Sequence, residues 1–208
     1  MSHTSGVRQA QKQKTRQALL DAGLQLLEEQ SLSSLGLREV TRLVGIAPAA
    51  FYRHFRDISD LGVALVQESL GSLHAVILEI LVEQDETDGR IDRAVEAIAG
   101  YVRHRRPHMR FIARERYGGV KDVRVAIAAE LDRFVGEVAE GLASRPEYGG
   151  WSAEDMRMLA ELHVDHMVST AAAFLQAPDR PGAEERIART ARTQLRLISV
   201  GCRHWDSA

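Results

Sequence analysis

The sequence predicts an all-α fold, with a small N-terminal three-helix domain followed by a larger helical domain. Apolar residues recur three and four positions apart along the chain, which is the period of an amphipathic helix, and the alternation typical of a strand is missing. Glycines and prolines divide this pattern into segments, as they do where helices end and begin. The 208 residues are 45% hydrophobic and 27% charged, so the chain can bury a substantial core.

The N-terminal segments have the lengths of a helix-turn-helix. A first helix is expected from about Gln9 to Glu29. A second, from Leu37 to Val44, ends at Gly45, and Pro48 opens a third, since proline fits the first position of a helix. Two helices of about eight residues joined by a three-residue turn are typical of this motif. We place the domain boundary after residue 57.

The remaining chain, residues 58–208, predicts a helical bundle. Asp57 is a suitable N-cap for a long helix from Ile58 to about Gln84, and Ser152 with Asp155 resembles a capping box. Helix ends are marked by proline, glycine and polar breaks, which place the later helices at about 90–105, 107–117, 121–144, 153–177 and 183–204.

The charge distribution is uneven, although the net charge is only −2 and the pI is near 6.5. Residues 1–60 carry a net charge of +2 and residues 61–208 a net charge of −4. Within the first 16 residues there are four cations and no acid: Arg8, Lys12, Lys14 and Arg16. This pattern is either a solvated tail or a small electrostatic footprint for nucleic acid.

The composition also favours a protein of the cytoplasm. The N-terminus is polar where a signal peptide would be apolar, and no run of about 18 uncharged apolar residues occurs. The one cysteine, Cys202, can form neither an intrachain disulfide nor a zinc site without further ligands. We therefore expect no membrane association.

The helix opened by Pro48 predicts a base-contacting surface. At about 100° per residue, Phe51 and Phe55 share a face that we expect to be buried, and Arg53 lies opposite. Small and polar residues surround Arg53, and these are Ala49, Ala50, Tyr52 and His54. Small residues permit close approach to base edges, and arginine can donate two hydrogen bonds to guanine. The alternative is an ordinary surface helix.

The stretch LREVTRLVGIAPAAFYRHFRD, residues 37–57, resembles the DNA-binding signature of the TetR family, and the resemblance spans residues 9–65. It implies a DNA-binding transcription regulator that is not an enzyme and that binds operator DNA as a homodimer. Many members carry a lysine where this chain has Ile58, so that phosphate contact is not carried over. The DNA contacts expected on this basis are Lys12, Lys14, Arg16, Arg38, Ala49, Ala50, Tyr52, Arg53 and His54.

Within that family, FYRHFRDISDLG (51–62), SLGLREV (34–40) and Arg114-Glu115-Arg116 are most similar to the fatty-acid biosynthesis and desaturase repressors FabR and DesT. The resemblance implies a repressor of lipid and unsaturated fatty-acid genes whose effector is a long-chain acyl-CoA or another acyl thioester. It implies no cofactor. A different small apolar or aromatic effector remains the alternative.

The segment from Arg103 to Arg116 predicts a site for the effector. Its local charge is +5, and Pro107 starts a helix there, so cations gather at a helix N-terminus that suits the phosphates of coenzyme A. The alternative is that these arginines pair with Glu68, Glu79 and Glu83. The effector residues predicted, with plain core packing as their alternative, are Arg105, Arg106, Met109, Phe111, Phe134 and Phe174.

The last helix predicts a dimer interface. Its apolar residues recur at spacings of three and four, which forms a seam suited to a partner helix: Ala188, Ala191, Leu195, Ile198 and Cys202. A matching side of the helix after Ser152 carries Met156, Ala160, His163, Met167 and Phe174. The alternative is core packing within one chain. Two histidine pairs, His104 with His108 and His163 with His166, have spacings that metal sites use, but we expect no metal because further ligands are missing.

Overall fold

The computed structural model describes residues 3–82 and 87–205, and it contains helices and no strand over those residues. The all-α fold class predicted from the sequence is confirmed. Two 3-10 helices, Leu32–Ser34 and Pro146–Tyr148, lie in the connections. The α-helices are α1 (His3–Leu26), α2 (Leu37–Val44), α3 (Pro48–Phe51), α4 (Ile58–Val82), α5 (Thr87–His104), α6 (Arg106–Glu115), α7 (Lys121–Ala143), α8 (Ala153–Leu175) and α9 (Ala183–Cys202).

Several helix ends lie where local signals predicted them. Gly45 ends α2 with a left-handed φ of 75°, a conformation that glycine adopts without strain. The Asp57 carboxylate accepts a hydrogen bond from the Asp60 N–H at 2.8 Å at the start of α4. The Ser152 hydroxyl accepts one from the Asp155 N–H at 3.1 Å and caps α8.

The third helix is shorter than predicted. The α-helical part covers Pro48–Phe51 only, and the expectation of about eight residues is wrong. The backbone continues as tighter turns, in which the Arg53 N–H donates to the Ala50 carbonyl at 3.3 Å and the His54 N–H to the Phe51 carbonyl at 2.9 Å. These hydrogen bonds have a three-residue spacing, and one bond of α-helical spacing remains, from the Phe55 N–H to the Phe51 carbonyl at 3.1 Å. We call residues 48–55 the recognition segment.

The described residues form two compact units. The first combines Met1–Ser69 with Arg110–Ala128, and the second combines Leu70–Met109 with Ala129–Ala208. This division differs from the one expected after residue 57, because the first unit also takes the beginnings of α4 and α7 and the end of α6.

The core of the first unit draws on three regions of the chain. Val123 and Ile127 of α7 are fully buried, as are Leu19 of α1 and Leu61 of α4. A Cβ atom on Gly62 would lie 2.5 Å from Leu32 Cδ2 and 2.8 Å from Val123 Cγ2. A larger residue at position 62 would therefore make the side chain of Leu32 or Val123 shift, and this close approach ties residues 121–128 to the core.

The core of the second unit contains the seam predicted for the dimer. Within this unit α5 packs on α8 and α9, and α8 packs on α9. The small and apolar residues of that predicted seam are buried among these helices: Ala188, Ala191, Leu195, Met156, Ala160 and Phe174. The assignment of these side chains to a dimer interface is therefore wrong, because packing within the chain already covers them.

One described stretch, Ile58–Leu81 of α4, is long and apolar enough to cross a membrane by length and composition alone. Nearly half of it is buried inside the fold. Core helices of water-soluble proteins pass the same test, so this stretch is weak evidence for a membrane span.

Candidate functional site

The recognition segment places its side chains on the sides that the sequence predicted. Phe51 and Phe55 are buried, and their ring centroids lie 5.6 Å apart. Arg53 and Ala49 are exposed, Ala50 is half-buried, and Tyr52 is 64% exposed. The buried phenylalanines thus anchor the segment, and Arg53 is presented to solvent on the other side.

Two cations of α1 lie beside the recognition segment. Lys12 and Arg16 are one helical turn apart, and the guanidinium of Arg16 lies 4.7 Å from the centroid of the Phe55 ring. Lys14 is also exposed, but it lies about 200° around the helix from Lys12. Arg38 is exposed in the first turn of α2. The structure therefore brings Lys12 and Arg16 to Arg53 and His54, whereas Lys14 lies on the other side of α1.

His54 is half-buried at the centre of these cations. Its Nδ1 atom is buried, with no hydrogen-bond partner among the residues that the structure describes. Burial, followed by the positive charges of Lys12, Arg16 and Arg53, lowers the pKa of His54 below its ordinary value of 6.5. The imidazole is accordingly neutral at pH 7.

Glu115 is a buried carboxylate that the sequence analysis did not single out as a site residue. It is 1% exposed at the end of α6, and its Oε1 accepts the Leu32 N–H at 3.0 Å, at the start of the 3-10 helix before α2. The spacing of Phe111, Ile112 and Glu115 places all three on one helix face, and this signal could have identified Glu115 as buried.

Two arginines of α6 bind the end of α1. The Arg114 guanidinium donates to the carbonyls of Leu27 at 2.9 Å and Gln30 at 2.6 Å, and Arg110 lies 3.8 Å from the Glu28 carboxylate. Cations at a helix C-terminus satisfy carbonyls that have no partner within the helix. These arginines therefore brace the first unit.

The arginines at the start of the same segment have partners in the second unit. Arg103 pairs with Glu184 at 3.0 Å, and the Arg106 guanidinium donates to the Leu175 carbonyl at 2.9 Å. Arg105 is exposed. These contacts favour bracing over head-group binding for most of the cluster, although the partners shown differ from the predicted acids. Glu83 lies outside the described residues.

The apolar residues predicted for the effector do not all belong to one unit. Met109, Phe134 and Phe174 are buried in the core of the second unit. Phe111 is buried in the first unit, where it lies with residues 110–128. The prediction therefore grouped side chains from two separate cores, because helical spacing alone does not distinguish them.

The second unit contains a small apolar cavity that the sequence analysis missed. Its volume is about 80 Å³. Seven aliphatic residues and six with polar groups line it: Ile77, Ile80, Leu81, Thr87, Arg90, Ile91, Ala94, Leu142, Arg145, Tyr148, His163, Leu195 and Ser199. These residues come from five helices and a connection, so no local pattern in the sequence could indicate that they meet.

Ion pairs and burial determine the state of the polar groups at this cavity, and burial acts on Tyr148 and His163 in particular. The guanidinium groups of Arg90 and Arg145 each lie 3.1 Å from the same oxygen of Glu147. Burial raises the pKa of Tyr148 to about 12, and burial lowers the pKa of His163, whose Nδ1 lies 2.8 Å from the Leu159 carbonyl. Tyr148 and His163 are therefore neutral hydrogen-bonding groups at pH 7.

The histidine pairs have partners other than a metal. His104 Nδ1 lies 2.7 Å from the Gly100 carbonyl, and His166 Nε2 lies 3.1 Å from Gln194 Oε1. Over residues 3–82 and 87–205, no three His, Cys, Asp or Glu side chains are grouped as metal ligands.

Comparison with known proteins finds a family model that matches part of the first unit. The sequence model described as bacterial regulatory proteins, tetR family, matches residues 19–65. The fold is similar to the fatty acid degradation regulator FadR from Bacillus halodurans, with a TM-score of 0.71, 15% identity, and coverage of 87% of this chain and 94% of that one.

Two further solved structures agree in fold. FadR from Bacillus subtilis, in complex with stearoyl-CoA, gives a TM-score of 0.70 at 14% identity and covers 89% of this chain and 98% of that one. Salmonella enterica GusR gives a TM-score of 0.67 at 19% identity and covers 89% of this chain and 95% of that one. Proteins of this family are DNA-binding regulators and not enzymes. Residues 19–65 therefore match the model of the tetR family of bacterial regulatory proteins, and the fold of the chain is similar to that of these three solved structures.

Proposed function

We propose that the chain is a cytoplasmic repressor that binds a specific operator through the recognition segment. The observation that carries this proposal is the position of Arg53, exposed opposite the buried Phe51 and Phe55, beside Lys12 and Arg16. Arginine at the centre of such a surface can bind guanine through two hydrogen bonds, and the cations of α1 suit phosphates.

Two substitutions test the proposal on an operator selected from random duplex DNA. Arg53→Ala should weaken binding by about 1–3 kcal/mol and relax base preference, because it removes a base contact. Lys12→Ala should weaken binding on all sequences alike and flatten the dependence on salt, because it removes a phosphate contact. Lys14→Ala is the matched control and should have the smaller effect. Unchanged affinity and base preference in Arg53→Ala would contradict this orientation of the recognition segment.

For the effector, we propose an acyl thioester and control of lipid or unsaturated fatty-acid genes. The resemblance of residues 34–62 to the fatty-acid repressors supports this class. So do two structural neighbours, one described as a fatty acid degradation regulator and the other solved in complex with stearoyl-CoA. The predicted binding groups are Arg105 and Arg106 for the head group and Met109, Phe134 and Phe174 for the chain, without Phe111.

Arg105 provides the clearest test of a head-group site. It is exposed, whereas Arg106 also braces α8 by its bond to the Leu175 carbonyl. Arg105→Ala should weaken stearoyl-CoA binding several-fold at low salt and leave stearic-acid binding unchanged, because only the thioester carries phosphates. Arg116→Ala is a control elsewhere in the same cluster. Equal loss for both ligands would contradict a head-group role.

A second candidate is a smaller apolar or aromatic effector in the cavity of the second unit. Its volume of about 80 Å³ suits a small molecule better than a long acyl chain. Filling it by Leu142→Trp should abolish binding of such a molecule. Native mass spectrometry of the purified protein then distinguishes the candidates by the mass of the molecule retained.

We also propose a symmetric homodimer that binds an inverted repeat. Helices α8 and α9 each carry exposed apolar side chains, Met158 and Leu162 on α8 and Leu197 and Val200 on α9. Such side chains on neighbouring helices suit a four-helix contact between two copies. The two half-sites would then lie about one turn of DNA apart.

A further inference from the structure

His54 is a titratable group of the recognition segment that the base-contact proposal does not use. His54 lies between Arg53 and Phe55 in the chain, and the Arg16 guanidinium lies 4.7 Å from the centroid of the Phe55 ring. The charges that act on His54 are those of Arg53 and of Lys12 and Arg16 of α1, and no described carboxylate is among them. This inference rests on the proposed function, because it concerns the same DNA-binding surface.

The ring has two unequal edges. Nδ1 is buried without a described partner, so a hydrogen there would be a buried donor with no acceptor. The neutral ring therefore carries its hydrogen on Nε2. A second proton is disfavoured in the free protein both by that buried edge and by three neighbouring positive charges.

Binding to DNA reverses the electrostatic contribution that disfavours protonation of His54. Duplex DNA carries one negative charge per about 1.7 Å of its axis, and phosphates against Lys12 and Arg16 would cancel the repulsion that those cations exert on the ring. We infer that His54 takes up a proton when the protein binds DNA, so that the ring contacts phosphate as an imidazolium and operator affinity depends on pH.

The sign of the dependence follows from linkage. The complex binds more protons than the free protein between the two pKa values, so affinity rises as the pH falls through the pKa of the complex. The rise ends below the pKa of free His54, which lies under 6.5. We expect binding at least about threefold tighter at pH 6 than at pH 8, with uptake of up to one proton per protomer.

The test measures binding of the full-length protein to the selected operator duplex at several pH values and constant ionic strength. His54→Gln should bind with little pH dependence, since the amide does not titrate. His54→Lys should bind at all these pH values without the pH-dependent gain, because its charge is permanent. His104→Gln, at an exposed histidine of α5, should keep the wild-type dependence.

Calorimetry in two buffers of different ionisation enthalpy measures the proton uptake directly. We expect proton uptake by the wild type and by His104→Gln, and no proton uptake by either His54 variant. Equal affinity of the wild type at pH 6 and pH 8, or uptake that persists in His54→Lys, would overturn the inference while leaving DNA binding intact. Failure of the wild type to select any operator would instead overturn the proposed function.

Discussion

At the scale of single residues, His74 shows how burial controls protonation. It is 5% exposed in the second unit, and its ring stacks on Phe134 with centroids 4.0 Å apart. Its Nδ1 has no partner among the described residues. Burial, followed by the charge of Arg133, lowers the pKa of His74 from 6.5 to about 4. The folded chain therefore holds this ring neutral in mild acid.

This shift predicts a loss of stability in acid. Between pH 6.5 and about 4 the unfolded chain binds a proton at His74 that the folded chain does not, so the free energy of unfolding falls as the pH falls. The loss should reach about 2 kcal/mol at pH 5 from this group. Urea denaturation at pH 7 and pH 5 measures it. His74→Phe should show a smaller loss than the wild type, and an equal loss would exclude His74 as the cause.

At the scale of elements, side chains at the end of α6 hydrogen-bond to the connection between α1 and α2 in the first unit. Glu115 accepts the N–H of Leu32, and Arg114 donates to the carbonyls at the end of α1. Together they satisfy backbone groups of Leu27, Gln30 and Leu32 in the connection between α1 and α2. This connection leads directly to the helix-turn-helix, so the position of α2 depends on side chains about 80 residues further along the chain.

Removing the carboxylate should destabilise the first unit. Glu115→Leu leaves the buried Leu32 N–H without an acceptor, which costs about 1–3 kcal/mol, whereas Glu115→Gln keeps the acceptor oxygen and should stay close to the wild type. Denaturation midpoints of the two variants provide the comparison. If both variants had the same stability, the hydrogen bond to Leu32 would contribute nothing to it.

Predictability from the sequence also varies with the element. The ends at Gly45, Asp57 and Ser152 could be predicted because each depends on one side chain and its own backbone neighbours. Arg53 could be placed because the two phenylalanines fix the rotation of its segment. The hydrogen bond from Leu32 to Glu115 and the cavity of the second unit join residues far apart in the chain, and periodicity carries no information on such pairs.

At the scale of the whole molecule, the sequence alone does not show which face of the helical bundle contacts a second copy of the chain. Most of the predicted seam lies in the core, so the proposed dimer is assigned to the exposed apolar side chains of α8 and α9. Helical spacing predicted apolar faces correctly, but it could not distinguish a face buried within the chain from one that a partner covers.

A charge on the outer side of α9 should therefore separate the protomers. Leu197 is 72% exposed, so Leu197→Glu should leave folding intact and weaken the dimer at least about tenfold, because a carboxylate would be buried in the contact. Sedimentation at micromolar protein measures this effect. Val125→Glu changes an exposed apolar residue of the first unit and is the control. A wild-type monomer at that concentration would contradict the proposed dimer.

The composition of the first unit has a consequence for building hybrid regulators. A gene fusion that exchanges residues 1–57 alone would separate that segment from Val123 and Ile127, which belong to the same core. Gly62 shows how close the packing is, since a methyl group there would make the side chain of Leu32 or Val123 shift. A sensor with a new operator specificity therefore needs two transplanted segments, 1–69 and 110–128, taken from the same parent.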